Sequence, residues 1–459
     1  MKCVFSQTSP RTNSDYLCHM NVRIKKTNVS IMLRFFFALM VMLFVLKMNT
    51  GFTQTTLSDV NSDSVAIRSV SSSDSVYVFE PYESKRSFTQ SVLAFPATLF
   101  NWVATRPAGS GITYAEMNFP QLFAGERGDK GIYPLVEFGG ETQIAYGFFL
   151  FHRDVWNAGH GAKLEVIFGS RDYNEVDFSY KVPKPFSLTG TARTKISYGN
   201  NPSIAYFGSN QLKNVQLKRY ARERFEIIQE YRQKVSGTVK AKIKTAIRSV
   251  SIDGSEYTNE TISVPTEWYE RVGLFNAGTE WTFDYYEKSG SRVVDGNRII
   301  TGVDWHHSID DTDYHYVNYK VELNHFLNVP LLPETRRIGL RALLERAEPI
   351  SGEGVPFFEH PYLGGSDDLR GYRARRLQDR GALLLTAEYR YPIWDFADVT
   401  LFVDQGQVFK DFEDIAYNRF RTDAGFGFHL VTGGGLAFRS EFAFSKSTSR
   451  FIISISPTF

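Results

Sequence analysis

The sequence predicts an all-β fold: a sixteen-stranded antiparallel transmembrane β-barrel with a short N-terminal amphipathic helix. Three observations carry that expectation. Aromatic residues make up 15% of the 459-residue chain, with 38 Phe and 24 Tyr, yet mean hydropathy is −0.26. A barrel gives that mixture when its strands turn apolar side chains to lipid and polar ones to a lumen. From about residue 132 onward almost every segment alternates apolar and polar residues with a period of two. Many of these segments run to ten residues or more, the length of a tilted membrane-crossing strand, whereas strands of soluble proteins average about five or six.

The elements follow in chain order. Lys25, Lys26 and Arg34 precede an unbroken apolar run from Phe35 to Leu46, and polar Asn49-Thr50-Gly51-Phe52-Thr53-Gln54 follows. This reads as a secretory signal, since the run is shorter than the ~20 residues of a spanning helix. The stretch before Lys25 is long for such a signal, which leaves Met20 and Met32 as alternative starts. Residues 1–54 are thus assigned to a signal peptide with an N-terminal extension. Both cysteines, Cys3 and Cys18, would leave with it, so no disulfide and no lipid-bearing cysteine is expected. Residues 55–131 form a flexible lead-in rich in Ser, Thr and Asp, followed by a helix candidate over 87–105. There Phe88, Val92, Phe95, Leu99 and Trp102 recur at helical spacing, interrupted at Pro96. That helix either packs on the next domain, or lies on a membrane or plugs a barrel mouth.

Residues 132–459 are assigned to the barrel. Strands are expected near 132–139, 142–150, 161–169, 173–181, 187–199, 219–232, 235–249 and 271–285. They continue near 293–307, 313–328, 335–347, 381–391, 398–409, 420–431, 436–444 and 451–459. Arg341, Glu345, Glu388, Arg390, Arg421, Asp423, Arg439 and Glu441 share the polar parity. A small packed core could not accept that charge, and a water-filled lumen could. Closing the sheet removes edges that lipid would leave unsatisfied. With 52 basic and 50 acidic residues, net charge +2, nothing points to a nucleic-acid partner.

Two motifs stand out near the C-terminus. Gly364-Gly365-Ser366-Asp367-Asp368-Leu369-Arg370-Gly371-Tyr372 sets a lone arginine in a glycine-rich segment. Phe402-Val403-Asp404-Gln405-Gly406 sets a lone aspartate inside a strand. Asp404 shares its parity with Thr400 and Phe402, opposite Leu401 and Val403, and is therefore expected to point inward.

These motifs flank Gly381-Ala382-Leu383-Leu384-Leu385-Thr386-Ala387-Glu388-Tyr389-Arg390-Tyr391-Pro392, and the chain ends on Phe459. In this order they closely resemble the BamA/TamA superfamily of outer-membrane barrels, also called the bacterial surface antigen family. The resemblance is specific over 361–459 and looser at Tyr206-Phe207-Gly208-Ser209-Asn210. It implies sixteen strands, the outer membrane of a Gram-negative bacterium, and insertion or translocation of proteins, or of lipids. It also implies that Leu369, Arg370, Gly371 and Tyr372 form the tip of a sixth loop, residues 349–380, that folds back into the lumen. Phe402, Asp404 and Gly406 are then the wall motif, Arg370 pairs with Asp404, and Glu388 and Arg390 are polar lumen residues. A guanidinium and a carboxylate make a directional fork suited to fixing a loop. Phe459 would be the signal by which barrel-assembly machinery inserts this chain. Outer-membrane lipid and client outer-membrane proteins are the implied partners.

Only about eighty residues separate the signal from the first strand, too few and too polar for the family's polypeptide-transport-associated domains. A separate periplasmic partner is the corresponding expectation. The chain has no Gly-x-Ser-x-Gly, no phosphate loop and no His-Glu-x-x-His. Neither enzyme activity nor a cofactor or metal is expected. Two other readings are a passive structural or pore-forming barrel, and a barrel enzyme using His306, Asp310 and Asp313. Against the second, His306 and adjacent His307 would face opposite sides of a strand, and the acidic residues read as a hairpin loop.

Overall fold

The computed structural model describes residues 130–139, 144–208, 217–257, 262–264, 268–289, 292–328, 336–394, 397–432 and 435–454. The expected signal peptide, the lead-in up to residue 129, the 87–105 helix and Phe459 lie outside them. Within them the alternating sequence forms sixteen long strands. These are β1 (Lys130–Phe138), β2 (Ile144–Val155), β3 (His160–Gly169), β4 (Asn174–Pro183), β5 (Thr191–Tyr206) and β6 (Lys218–Lys234). Next come β7 (Val239–Gly254), β8 (Glu270–Ser289), β9 (Arg292–Ser308), β10 (Tyr314–Asn328) and β11 (Arg337–Gly352). The last are β12 (Gly381–Trp394), β13 (Ala397–Phe409), β14 (Arg421–Thr432), β15 (Gly435–Ser445) and β16 (Ser449–Ser454).

Each strand pairs antiparallel with the next, and β16 returns to β1, so the sheet closes on itself. Among the described residues the closing ladder position is Phe138 opposite Ile453. Several strands outrun the alternation that announced them. In β5 the polar Asn200-Asn201 and Pro202 interrupt the pattern, but pairing with β6 resumes after a bulge between Asn201 and Ile204 and continues to Tyr206. A bulge costs one pairing and leaves the rest of the ladder intact. β11 likewise reaches Gly352 beyond Pro349, beside a register shift in its pairing with β10. The sixth outer loop therefore begins at 353 and not at the expected 349.

The parity expected from sequence decides which side chains face lipid. On β13, Leu401 is 54% exposed and Val403 42%, while Phe402 and Asp404, which alternate with them, are buried. On β15, Phe442 and Phe444 face out, and Arg439 and Glu441 are fully buried. The interior has two characters. On the β3–β9 side, ion pairs such as Lys195–Asp177 at 2.8 Å, Lys242–Glu280 at 2.9 Å and Lys244–Asp304 at 2.9 Å keep part of their side-chain surface exposed. On the β11–β16 side the loop fills the lumen, and Leu343, Leu363, Leu369, Tyr372, Leu377, Ala382, Leu384 and Val408 form one buried apolar cluster. Between the two lies a polar cavity of about 600 Å³ lined in part by Glu175, Arg224, Asp304, Lys320, Glu345 and Asp368.

This division sets the cost of a misplaced charge. Leu401→Arg, on the outer face near the middle of β13, is expected to destabilise the barrel by roughly 2–4 kcal/mol, the range for an arginine at the bilayer midplane. Lys242→Ala, in the hydrated ion pairs, should cost less than about 1 kcal/mol. Denaturant unfolding in lipid, followed by heat-modifiable migration, measures both.

Candidate functional site

The loop between β11 and β12 is built as a hairpin. Tyr362 pairs with Gln378 and Leu363 with Leu377, so the chain enters and leaves the lumen side by side. At its turn Gly364 and Gly365 take φ of 106° and 132°, values open to glycine. Leu369, fully buried, takes φ 44°, a left-handed conformation that costs a non-glycine residue about 1–2 kcal/mol. It is held by packing in the apolar cluster on the wall, and it presents the next residue, Arg370, to strands β12–β15.

Arg370 is 0% exposed, and its guanidinium makes four hydrogen bonds to carboxylates. Nε donates to Asp404 Oδ2 at 2.8 Å and Nη2 to Asp404 Oδ1 at 3.0 Å, a bidentate fork. Nη1 donates to Glu388 Oε2 at 3.1 Å and Glu441 Oε1 at 2.9 Å. The guanidinium carbon lies 3.4 Å from the centroid of the Phe402 ring, which caps one face of the fork. Thr386 donates to Asp404 Oδ1 at 2.8 Å, and Arg390 Nε to Glu388 Oε1 at 2.5 Å. His429 sits 3.0 Å from Glu441 Oε1, and Arg439 3.7 Å from its other oxygen. Three guanidiniums thus face three carboxylates in a dry region, which keeps each buried charge compensated.

Gly371 and Gly406 are needed for close approach. A Cβ on Gly371 would lie 2.6 Å from Asp423 Cβ, and its backbone N–H donates to Asp423 Oδ2 at 2.9 Å. A Cβ on Gly406 would lie 2.7 Å from Leu363 and 3.1 Å from Leu369, in the seat of the loop's apolar side. Tyr372 donates through its hydroxyl to the Thr422 carbonyl at 3.3 Å. All seven loop and wall motif residues, together with Glu388 and Arg390, thus fall within this one assembly.

Other anchors carried no motif. Asp367 accepts from Arg439 at 2.8 Å, and Asp368 from Arg341 at 2.9 Å. Where the loop enters, a short 3-10 turn over Phe357–Glu359 drives Phe357 among Tyr206, Tyr220 and Trp268, at ring distances of 5.3, 5.3 and 4.9 Å. Glu359 takes a double hydrogen bond from Arg248 of β7, at 2.7 and 2.8 Å. Burial would raise the Glu359 carboxyl, but Arg248 outweighs it and holds the group below the usual glutamate range. The signal available for this anchor was Phe-Phe-Glu standing alone in a polar, Gly- and Pro-rich loop.

The histidine and aspartate cluster does not assemble. His306 is buried, stacked on Tyr316 at 4.5 Å and 3.3 Å from the Asn318 amide. His307 instead stacks on Trp305 and meets His315 at 2.6 Å. Asp313 pairs with His315 at 2.9 Å. Asp310 closes the β9–β10 turn. Partial burial raises its carboxyl, but the hydrogen bonds from Thr312 and the Gly273 N–H prevail and hold it below the ordinary aspartate range. Among the described residues no group of three or more metal-ligating side chains could hold an ion.

Removing the guanidinium would strand three buried carboxylates. Arg370→Ala is expected to lower barrel stability by roughly 3–5 kcal/mol, and Arg370→Lys, which keeps the charge and loses the fork, by less. Thermal unfolding measures the loss, and maleimide labelling of Ser366→Cys reports release of the loop.

Comparison with known proteins agrees with this architecture. The Omp85 superfamily domain model matches residues 158–459. Among solved structures, BamA from Haemophilus ducreyi lacking POTRA domains 1–3 aligns with TM-score 0.55 and 13% identity, covering 71% of this chain and 70% of that one. CdiB from Acinetobacter baumannii aligns at TM-score 0.47 and 10% identity, and CdiB from Escherichia coli at 0.48 and 10%. Each covers 71% of this chain, which spans 59% and 62% of theirs. No curated protein sequence matches. A closed sixteen-stranded wall, with the Arg370 loop locked to Asp404, is an outer-membrane barrel of a Gram-negative bacterium, and the chain belongs to the Omp85 superfamily.

Proposed function

We propose that this barrel assists insertion or translocation of proteins, or of lipids, at the outer membrane, by parting between β1 and β16. The observation that carries the reading is where the loop tip is fixed. Its bonds run to Arg341 of β11, Glu388 of β12, Asp404 of β13, Asp423 of β14, and Arg439 and Glu441 of β15. The C-terminal wall is thereby braced from inside up to the strand before the seam. β1 can then swing away while those bonds stay in place. A parted seam offers unpaired backbone N–H and C=O groups, on which a client strand can form a ladder. Superfamily membership supports this role, and a periplasmic partner would deliver the client. The polar cavity of about 600 Å³ favours a second reading, a passive pore.

Phe138 and Ile453 face each other across the seam, and opposed residues of an antiparallel pair lie within disulfide reach. Proteoliposomes holding Phe138→Cys with Ile453→Cys should insert candidate clients when reduced and lose that activity when oxidised. Equal insertion in both states would refute a seam mechanism. Steady planar-bilayer conductance with no effect on any client would favour the pore.

A further inference from the structure

We infer that Arg450 is the positioning residue that ties the anchored loop to the β1–β16 seam, so that undocking the loop loosens the seam. The inference rests on the proposed parting of β1 from β16. Along β16, Ile452 and Ser454 are buried and Phe451 is exposed to the outside, so Arg450 shares the inward parity. Its guanidinium is half-buried and turned on backbone carbonyls from two separate pieces of chain. Nη1 donates to Gly365 O at 2.7 Å, to Arg370 O at 2.9 Å and to Tyr372 O, three carbonyls that bracket the loop tip. Nη2 donates to Gly139 O, at the outer end of β1 across the seam. Gly139 adopts φ 84°, and a Cβ there would lie 2.9 Å from Phe451 O, so β1 and β16 are in close contact at this point.

The chemistry of the acceptors fits a contact that must break. Arg370 is locked by carboxylates, whereas the four hydrogen bonds of Arg450 end on neutral carbonyls, which water replaces at smaller cost. Asp423 and Arg373 are the ionisable groups that act on it, and Asp423 is already engaged by the Gly371 N–H. The loop tip supplies most of the acceptors that orient the guanidinium plane, and that orientation aims Nη2 at β1. With the tip undocked, the side chain loses the carbonyls that direct it, and the bond to Gly139 goes with them. Linkage makes the effect reciprocal, so parting the seam weakens the loop's seat by the same factor. Thr448, in the β15–β16 turn, donates to Gly371 O at 2.6 Å and is a second hold on the loop tip.

The test is a double-mutant cycle in the full chain, in proteoliposomes, read by the extent of Phe138→Cys/Ile453→Cys cross-linking under a brief fixed oxidation. Asp404→Asn, which weakens loop docking, should lower cross-linking several-fold. Arg450→Ala should lower it similarly, and adding Asp404→Asn to Arg450→Ala should change it no further. Thr448→Val, which removes one hold on the loop and keeps Arg450, should raise labelling of Ser366→Cys and lower the seam cross-link in step with it, and adding it to Arg450→Ala should lower the cross-link no further. Additive effects of Asp404→Asn and Arg450→Ala, or cross-linking unchanged by Arg450→Ala, would overturn the assignment. If Arg450→Ala does not assemble, Arg450→Lys carries the same test, because a point charge cannot hold both sets of carbonyls in one plane. Client insertion by the oxidised pair would refute the seam mechanism of function, while the cross-linking cycle would still decide whether Arg450 couples loop to seam.

Discussion

One buried guanidinium organises the inner wall. Arg370 cannot stay charged in a dry lumen without carboxylates, and Asp404, Glu388 and Glu441 cannot stay charged there without it. Each member fixes the next: Arg390 and Thr386 orient Glu388 and Asp404, and His429 and Arg439 flank Glu441. Because the guanidinium is a planar fork, satisfying it sets the position and the rotation of the loop tip together. The left-handed backbone at Leu369 and the missing side chain at Gly371 are local adjustments to that requirement.

The fold was legible because a barrel wall writes itself in period two. Phe442 and Phe444 outside, with Arg439 and Glu441 inside, follow from parity alone, and so does the inward aim of Asp404. Parity says which residues share the lumen but not which of them meet, since that depends on the barrel's curvature and on the path of the loop. Glu388 and Glu441 could thus be placed inside without being recognised as partners of Arg370. The Glu359 to Arg248 anchor and the Phe357 insertion were illegible for a similar reason. They join segments more than a hundred residues apart, so the isolated Phe-Phe-Glu could mark an anchor but not name Arg248 or Tyr220 as its partners. Arg450 was hidden further, because its acceptors are backbone carbonyls that carry no sequence signal.

The lumen's two characters divide rigidity from hydration. Where the loop packs, apolar side chains of β11, β12, β13 and the loop, together with compensated charges, exclude water. On the opposite side the ion pairs keep solvent contact and are individually weak. The proposed parting of β1 from β16 fits that asymmetry, since the side away from the loop carries few contacts that are costly to break.

The order of the anchors along the chain bears on how the protein is made. Apart from Arg341, the side chains named as anchors of the loop tip, from Glu388 and Asp404 to Asp423, Arg439, Glu441 and Arg450, lie downstream of Arg370 in the sequence. A nascent barrel that has reached only β11 has a loop but nowhere to seat it, and its arginine stays in water. The seat is complete only when the last strand has arrived. A chain that ends before β15 keeps the Asp404 fork and Glu388 but lacks Glu441, Arg439 and Arg450, so its loop has only part of its seat.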